Sequence, residues 1–109
     1  MLDALKVKGD SLRHTGHYES ALQCYERVVE MDHNNVWAWY DKGQVLEALQ
    51  QYENALQAVR EADRLLSLHD RNRTWIHSEL GKLYHLLGDQ QQAKCQFEMA
   101  LQYNRHYPK

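Results

Sequence analysis

The chain lacks nearly every feature that would give it a chemistry of its own. Its 109 residues hold one proline, one phenylalanine, five glycines and two cysteines. Cys24 and Cys95 are far apart and carry no metal-ligand spacing, so they imply neither a disulfide framework nor a zinc site. They read as reduced thiols in a cytoplasmic chain. No apolar run approaches the roughly 20 residues that a membrane span needs, and the first residues do not form a signal peptide. A net charge of -2 and a pI near 6.4 give no pull toward nucleic acid or an anionic membrane. There is no phosphate-cradling glycine loop. Cys24 and Cys95 also lack a motif supplying the base that a nucleophile requires. Seven histidines invite a metal, yet His14 and His17 flank a turn and His77 and His85 stand about two helical turns apart. None pairs with a cysteine or carboxylate at ligand spacing, so no metal, no cofactor and no enzymatic activity is expected.

What is present is ordinary in amount and regular in pattern. Hydrophobic residues make up 43% and charged residues 26%, as in a globular chain. No linker or low-complexity segment divides it, so residues 1–109 read as a single domain or a piece of a longer array. The few breakers suit an all-helical chain.

The stretch Asp32-His33-Asn34-Asn35-Val36-Trp37-Ala38-Trp39-Tyr40-Asp41-Lys42-Gly43 closes one helix and opens another. Its glycine has counterparts at Gly9 and Gly81. Each is followed at one fixed interval by Ala21, Ala55 and Ala93, and at a second by Val28, Ala62 and Ala100. Leu2, Leu5 and Leu12 form a helical stripe ending at Gly16. Tyr18, Ala21, Leu22, Tyr25, Val28 and Val29 form the next, with Glu19, Gln23, Glu26, Arg27 and Glu30 outside it. The pattern then restarts, with Asn34 or Asn35 as the cap. Trp39, Gly43 and Leu46 repeat Leu5, Gly9 and Leu12, Gln50 replaces Gly16, and Tyr52, Ala55, Leu56, Val59 and Ala62 repeat the second stripe. The first period is 34 residues and the second 38. Four residues are close to one helical turn, and Leu65-Leu66-Ser67-Leu68-His69 can carry a helix onward. A longer second helix in the middle unit, a longer following helix, or both are expected. Asn72 or Thr74 caps the next helix and Asp89 the last.

A 34-residue helix–turn–helix period is the mark of tetratricopeptide repeats, and the chain resembles that family over nearly its whole length. The units are roughly 2–35, 36–73 and 74–107. The helix-packing glycine is matched by Gly9, Gly43 and Gly81, and the second-helix alanines by Ala21, Ala55, Ala93, Ala62 and Ala100. The first-helix aromatic is matched by Trp39, with Leu5 and His77 departing. Tyr25 and Phe97 match the second-helix aromatic, with Val59 departing. His33 stands where the inter-repeat proline would be. The resemblance implies an all-α, right-handed superhelical solenoid whose stacked units bury what a single hairpin cannot.

The resemblance also implies a concave groove lined by the first helices. Its residues would be Asp3, Lys6, Asp10, Arg13 and His14 in unit one, and Trp37, Tyr40, Asp41, Gln44 and Glu47 in unit two. Unit three would supply Trp75, Ser78, Glu79, Lys82 and His85. Large aromatics flanked by polar groups suit capture of a peptide or helix. The groove is unlike the carboxylate clamp that holds chaperone tails: where that clamp has lysine, asparagine, asparagine, lysine and arginine, this chain has Lys6, Asp10, Asp41, Trp75 and Glu79, and only Lys6 agrees. Three acids would repel a terminal carboxylate, so the expected ligand is a mixed, apolar or mildly basic segment. The resulting reading is a protein-binding scaffold or adaptor. A rival is self-assembly into a homo-oligomer, because nothing downstream covers the Phe97 side of the last helix and core residues begin almost at Met1.

Overall fold

The computed structural model describes residues 2–67 and 70–106, and the side chains of 3–67 and 70–103. The described residues form six helices: α1 Leu2–His14, α2 Tyr18–Met31, α3 Val36–Ala48, α4 Tyr52–Leu65, α5 Arg73–Leu86 and α6 Gln90–His106. There is no strand among the described residues. Each helix packs on its neighbours in the chain, giving three hairpins stacked side by side. This is the expected all-α helical repeat solenoid.

The spaced glycines are where hairpins close. A Cβ at Gly9 would stand 2.9 Å from the Tyr25 ring, and one at Gly81 2.7 Å from the Phe97 ring. At Gly43 it would overlap Val59 and come within 3.3 Å of the Ala55 carbonyl oxygen. The first helix of each unit therefore touches the second almost at backbone distance. Ala21, Ala55 and Ala93 are buried on the facing helix, as are Tyr25 and Val59.

All three hairpins turn in the same way. Gly16, Gln50 and Gly88 have φ of 83°, 63° and 87°. The next residue's N–H reaches back to the last turn of the helix: His17 to Leu12 O (2.8 Å), Gln51 to Leu46 O (2.9 Å), Asp89 to Tyr84 O (2.9 Å). This double-bonded helix ending uses a left-handed residue to satisfy carbonyls that would otherwise be orphaned. Gln50 occupies that conformation without glycine's freedom. The caps follow the sequence in two cases. Asn35 Oδ1 accepts from the N–H of Ala38 (3.2 Å), and Asp89 Oδ1 from that of Gln92 (3.1 Å).

Of the two expected extensions, a longer α4 is not found: it has 14 residues, as α2 has. The following helix, α5, is longer than α3 by one residue, 14 against 13. Residues 32–35 join α2 to α3, and between α4 and α5 the described residues 66, 67 and 70–72 stand outside both helices. Leu68 and His69 of the expected extension lie outside the described residues. Arg73 is the physical reason for the stop. Its Nη1 donates to the carbonyls of Asp63 (3.3 Å) and Leu66 (3.1 Å), and its Nη2 pairs with Asp63 Oδ1 at 2.7 Å. A buried cation at the end of α4 satisfies carbonyls that a further turn would have used, and suits the helix dipole. Neither Asn72 nor Thr74 caps α5 by its side chain. Asp70 Oδ1 takes the N–H of Asn72 instead (2.8 Å). His77 is buried, bonded through Nδ1 to Gln96 Oε1 (2.7 Å) and stacked on Tyr103.

Gly43→Leu should overpack the middle hairpin and lower unfolding free energy by about 1–3 kcal/mol, read from a urea midpoint. Gln50→Gly should act in the opposite direction. Relief of left-handed strain, about 1–2 kcal/mol, exceeds the chain-entropy loss of about 0.5–1 kcal/mol, so the midpoint should rise.

Candidate functional site: a groove across the first helices

α1, α3 and α5 each present one face to a shared groove of about 490 Å³, lined by Lys6, Arg13, Trp37, Tyr40, Asp41, Gln44, Asn72 and Trp75. Trp37 meets Tyr40 edge to face, with ring centroids 5.5 Å apart. Trp75 is 65% exposed at the lip. A large ring left this open is unusual on a folded surface and typical of binding anchors.

Beneath the rings, most charged groups are paired with one another. Lys6 Nζ donates to Asp41 Oδ2 at 2.9 Å and lies 3.6 Å from Asp10 Oδ2. Asp10 also accepts from the Tyr25 hydroxyl and stands 3.8 Å from Arg13. Gln44 Nε2 donates to Glu79 Oε1 at 3.3 Å, and Lys82 Nζ pairs with Glu47 Oε2 at 2.7 Å. Burial alone would lower the Lys6 pKa, but its bond and attraction to Asp41 outweigh it and the net shift is upward. Burial raises Asp41 against the opposing pull of Lys6.

Glu79 is the most perturbed acid. It is 7% exposed. Burial, then the neighbouring Glu47 carboxylate, push its pKa up to about 8. One of its oxygens is buried without a donor, and a proton lets the carboxyl donate to Glu47. For Glu47, burial is outweighed by bonds from Glu79 and Lys82, which hold its pKa below the usual value. At neutral pH Glu79 is mostly neutral, so repulsion of an anionic ligand falls to Asp10 and Asp41 rather than to three acids.

The other expected groove residues are placed differently. Ser78, Lys82 and His85 are exposed on α5 but do not line this cavity, and His85 Nδ1 meets Gln90 Oε1 at 3.0 Å. Asp10, Glu47 and Glu79 support the lining from below. Asp3 belongs to a different patch, with Val7 and Lys8. Asn72 went unrecognised as a groove residue because its type and place suit a helix cap. Asp70 makes the turn bond instead, so the Asn72 carboxamide has no hydrogen-bond partner among the described residues. No group of three or more His, Cys, Asp or Glu that could hold a metal occurs among the described residues. No described helix is long and apolar enough to cross a membrane.

Three stacked helical hairpins with small-residue contacts and a groove across their first helices define a helical repeat solenoid. The chain belongs to the tetratricopeptide repeat family: models described as TPR repeat and Tetratricopeptide repeat match residues 9–50 and 38–65. It is 26% identical over 91 residues to a TPR repeat-containing protein of Methanocaldococcus jannaschii, covering 84% of this chain and 15% of that relative. The chain thus spans only a small part of that relative's length. Among solved structures it resembles the second TPR of Spaghetti (RPAP3) bound to the HSP90 peptide SRMEEVD. There the TM-score is 0.84 at 25% identity, over 94% of this chain and 91% of that one. It also resembles MamA 41-end from Desulfovibrio magneticus RS-1, with TM-score 0.91 and 23% identity over 100% of this chain and 59% of that chain. The chain is thus built as a protein-interaction module.

Glu79 gives the site a pH signature. Its folded pKa of about 8 lies above the ordinary 4.5, so the folded state holds the extra proton between those values and loses stability as pH rises through that window. Glu47, shifted down, has delivered its contribution by about pH 5.5. Thermal midpoints should fall from about pH 5.5 to about pH 8.5, and Glu79→Gln should remove most of that slope. An unchanged slope would contradict the assignment.

Proposed function

We propose that this three-repeat unit, with repeats 2–35, 36–73 and 74–107, holds a peptide or helical segment in its concave groove. In this reading it serves as a scaffold or adaptor in the cytoplasm, where its two free cysteines would stay reduced. The carrying observation is the placement of Trp37, Tyr40 and the open Trp75 around a groove whose charges are largely paired internally. Binding there is preorganised: apolar rings supply affinity, and the Asn72 carboxamide offers a donor and an acceptor to a peptide backbone.

The same pairing argues for the ligand's chemistry. Lys6 is held by Asp41 and Asp10, so it is a poor receptor for a terminal carboxylate. The favoured segment is apolar or mildly basic, with an aromatic or aliphatic side chain seated between Trp37 and Trp75. The Spaghetti domain bound to an HSP90 peptide supports peptide capture by a unit of this kind, while the residues here favour a different peptide.

Selection from a displayed random-peptide library should enrich apolar and basic segments. Trp37→Ala/Tyr40→Ala/Trp75→Ala should weaken the selected peptide by more than about tenfold with unchanged circular dichroism. SRMEEVD should bind no better than about millimolar. Tight binding of SRMEEVD, or retention of the selected peptide by the triple variant, would refute the reading.

A further inference from the structure

The repeat register relates the two ends of the stack to its interior. Lys8 holds in unit one the place that Lys42 holds in unit two, and Glu98 holds in unit three the place that Glu26 holds in unit one. In the interior, α2 packs on α3, and Lys42 Nζ lies 4.0 Å from Glu26 Oε2. Around that pair, Tyr25 and Val29 of α2 and Ala38 and Val45 of α3 are 0–4% exposed.

At the ends the same places are open. On α6, Phe97 and Leu101 stand where Tyr25 and Val29 stand and are 42% and 59% exposed. On α1, Ala4 and Ser11 stand where Ala38 and Val45 stand and are exposed, with Val7 67% exposed between them. Asp3, Ala4, Val7, Lys8, Ser11 and Leu12 line a shallow cavity of about 600 Å³ along α1, with Asp3 at its N-terminal edge. Neither Lys8 nor Glu98 has an ion-pair partner among the described residues.

We infer that a second copy of this chain stacks head to tail on the first, its α1 seated on α6 as α3 is seated on α2, with Lys8 facing Glu98. Two features select this occupant and orientation. The junction continues a packing already present inside the molecule, and the ends carry opposite charges at the positions that meet. A twofold contact centred on Glu98 would oppose two glutamates, and one centred on Lys8 would oppose two lysines. A head-to-tail contact joins unlike surfaces and so builds an open series of assemblies rather than a closed dimer. One helix against one helix is a small interface, so association is weak and concentration-dependent.

Sedimentation of the 109-residue chain at low salt, from about 10 μM to about 1 mM, reads the assembly. The weight-average mass should climb with concentration. Lys8→Glu and Glu98→Lys should each weaken association about fivefold. An equimolar mixture of the two should recover wild-type assembly, because each variant supplies the charge that the other's junction needs. Leu101→Asp should leave a monomer with unchanged circular dichroism. A constant monomer mass to the highest concentration overturns the proposal. So does association indifferent to Lys8→Glu, or failure of the mixture to recover.

Discussion

The close approach between the two helices of each hairpin is the contact on which everything else rests. Gly9 lies against Tyr25, Gly43 against Val59 and Gly81 against Phe97. With a side chain at any of these places, the first helix would stand off from the second and the shared core would open. Because the contact recurs in register, the first helices come out side by side, and the residues they do not bury form one continuous face. The groove follows from hairpin packing in this way, without a dedicated loop or lid.

That face separates two kinds of work. Its rings, Trp37, Tyr40 and Trp75, remain half-buried or open, while the polar groups beneath them tie α1 to α3 and α3 to α5 through Lys6–Asp41, Gln44–Glu79 and Glu47–Lys82. Isolated surface pairs of this sort contribute little. Here they are partly buried and span neighbouring repeats, so they set the spacing of the helices that carry the rings. Keeping Glu79 protonated lets two acids share one site without mutual repulsion.

Much of this was legible in the sequence, because the signal was periodic. A glycine followed at fixed intervals by alanines tells a reader where backbones approach, and polar clusters such as Asp32 to Asn35 mark where helices change. Lys6, Arg13, Trp37, Tyr40, Asp41, Gln44 and Trp75 could be placed on one face from spacing and family resemblance together. The misses arose where tertiary contacts overrode local pattern. Leu65-Leu66-Ser67 reads as helix, but Arg73 reaches back to take the carbonyls that a continued helix would need. Asn72 reads as a cap, but Asp70 makes the bond. The protonation of Glu79 depends on a burial that no one-dimensional pattern shows.

The central claim, that the groove formed by the first helices is the binding surface, is tested most directly by the three tryptophan indole resonances. Trp37 and Trp75 line the groove, whereas Trp39 faces away from it and donates its indole N–H to the His33 carbonyl at 2.8 Å. Two-dimensional nitrogen–proton NMR, recorded while a library-selected peptide is titrated in, follows all three at once. The account predicts that the Trp37 and Trp75 signals shift together and saturably while Trp39 stays in place. Movement of Trp39 with Trp37 and Trp75 unchanged would contradict it.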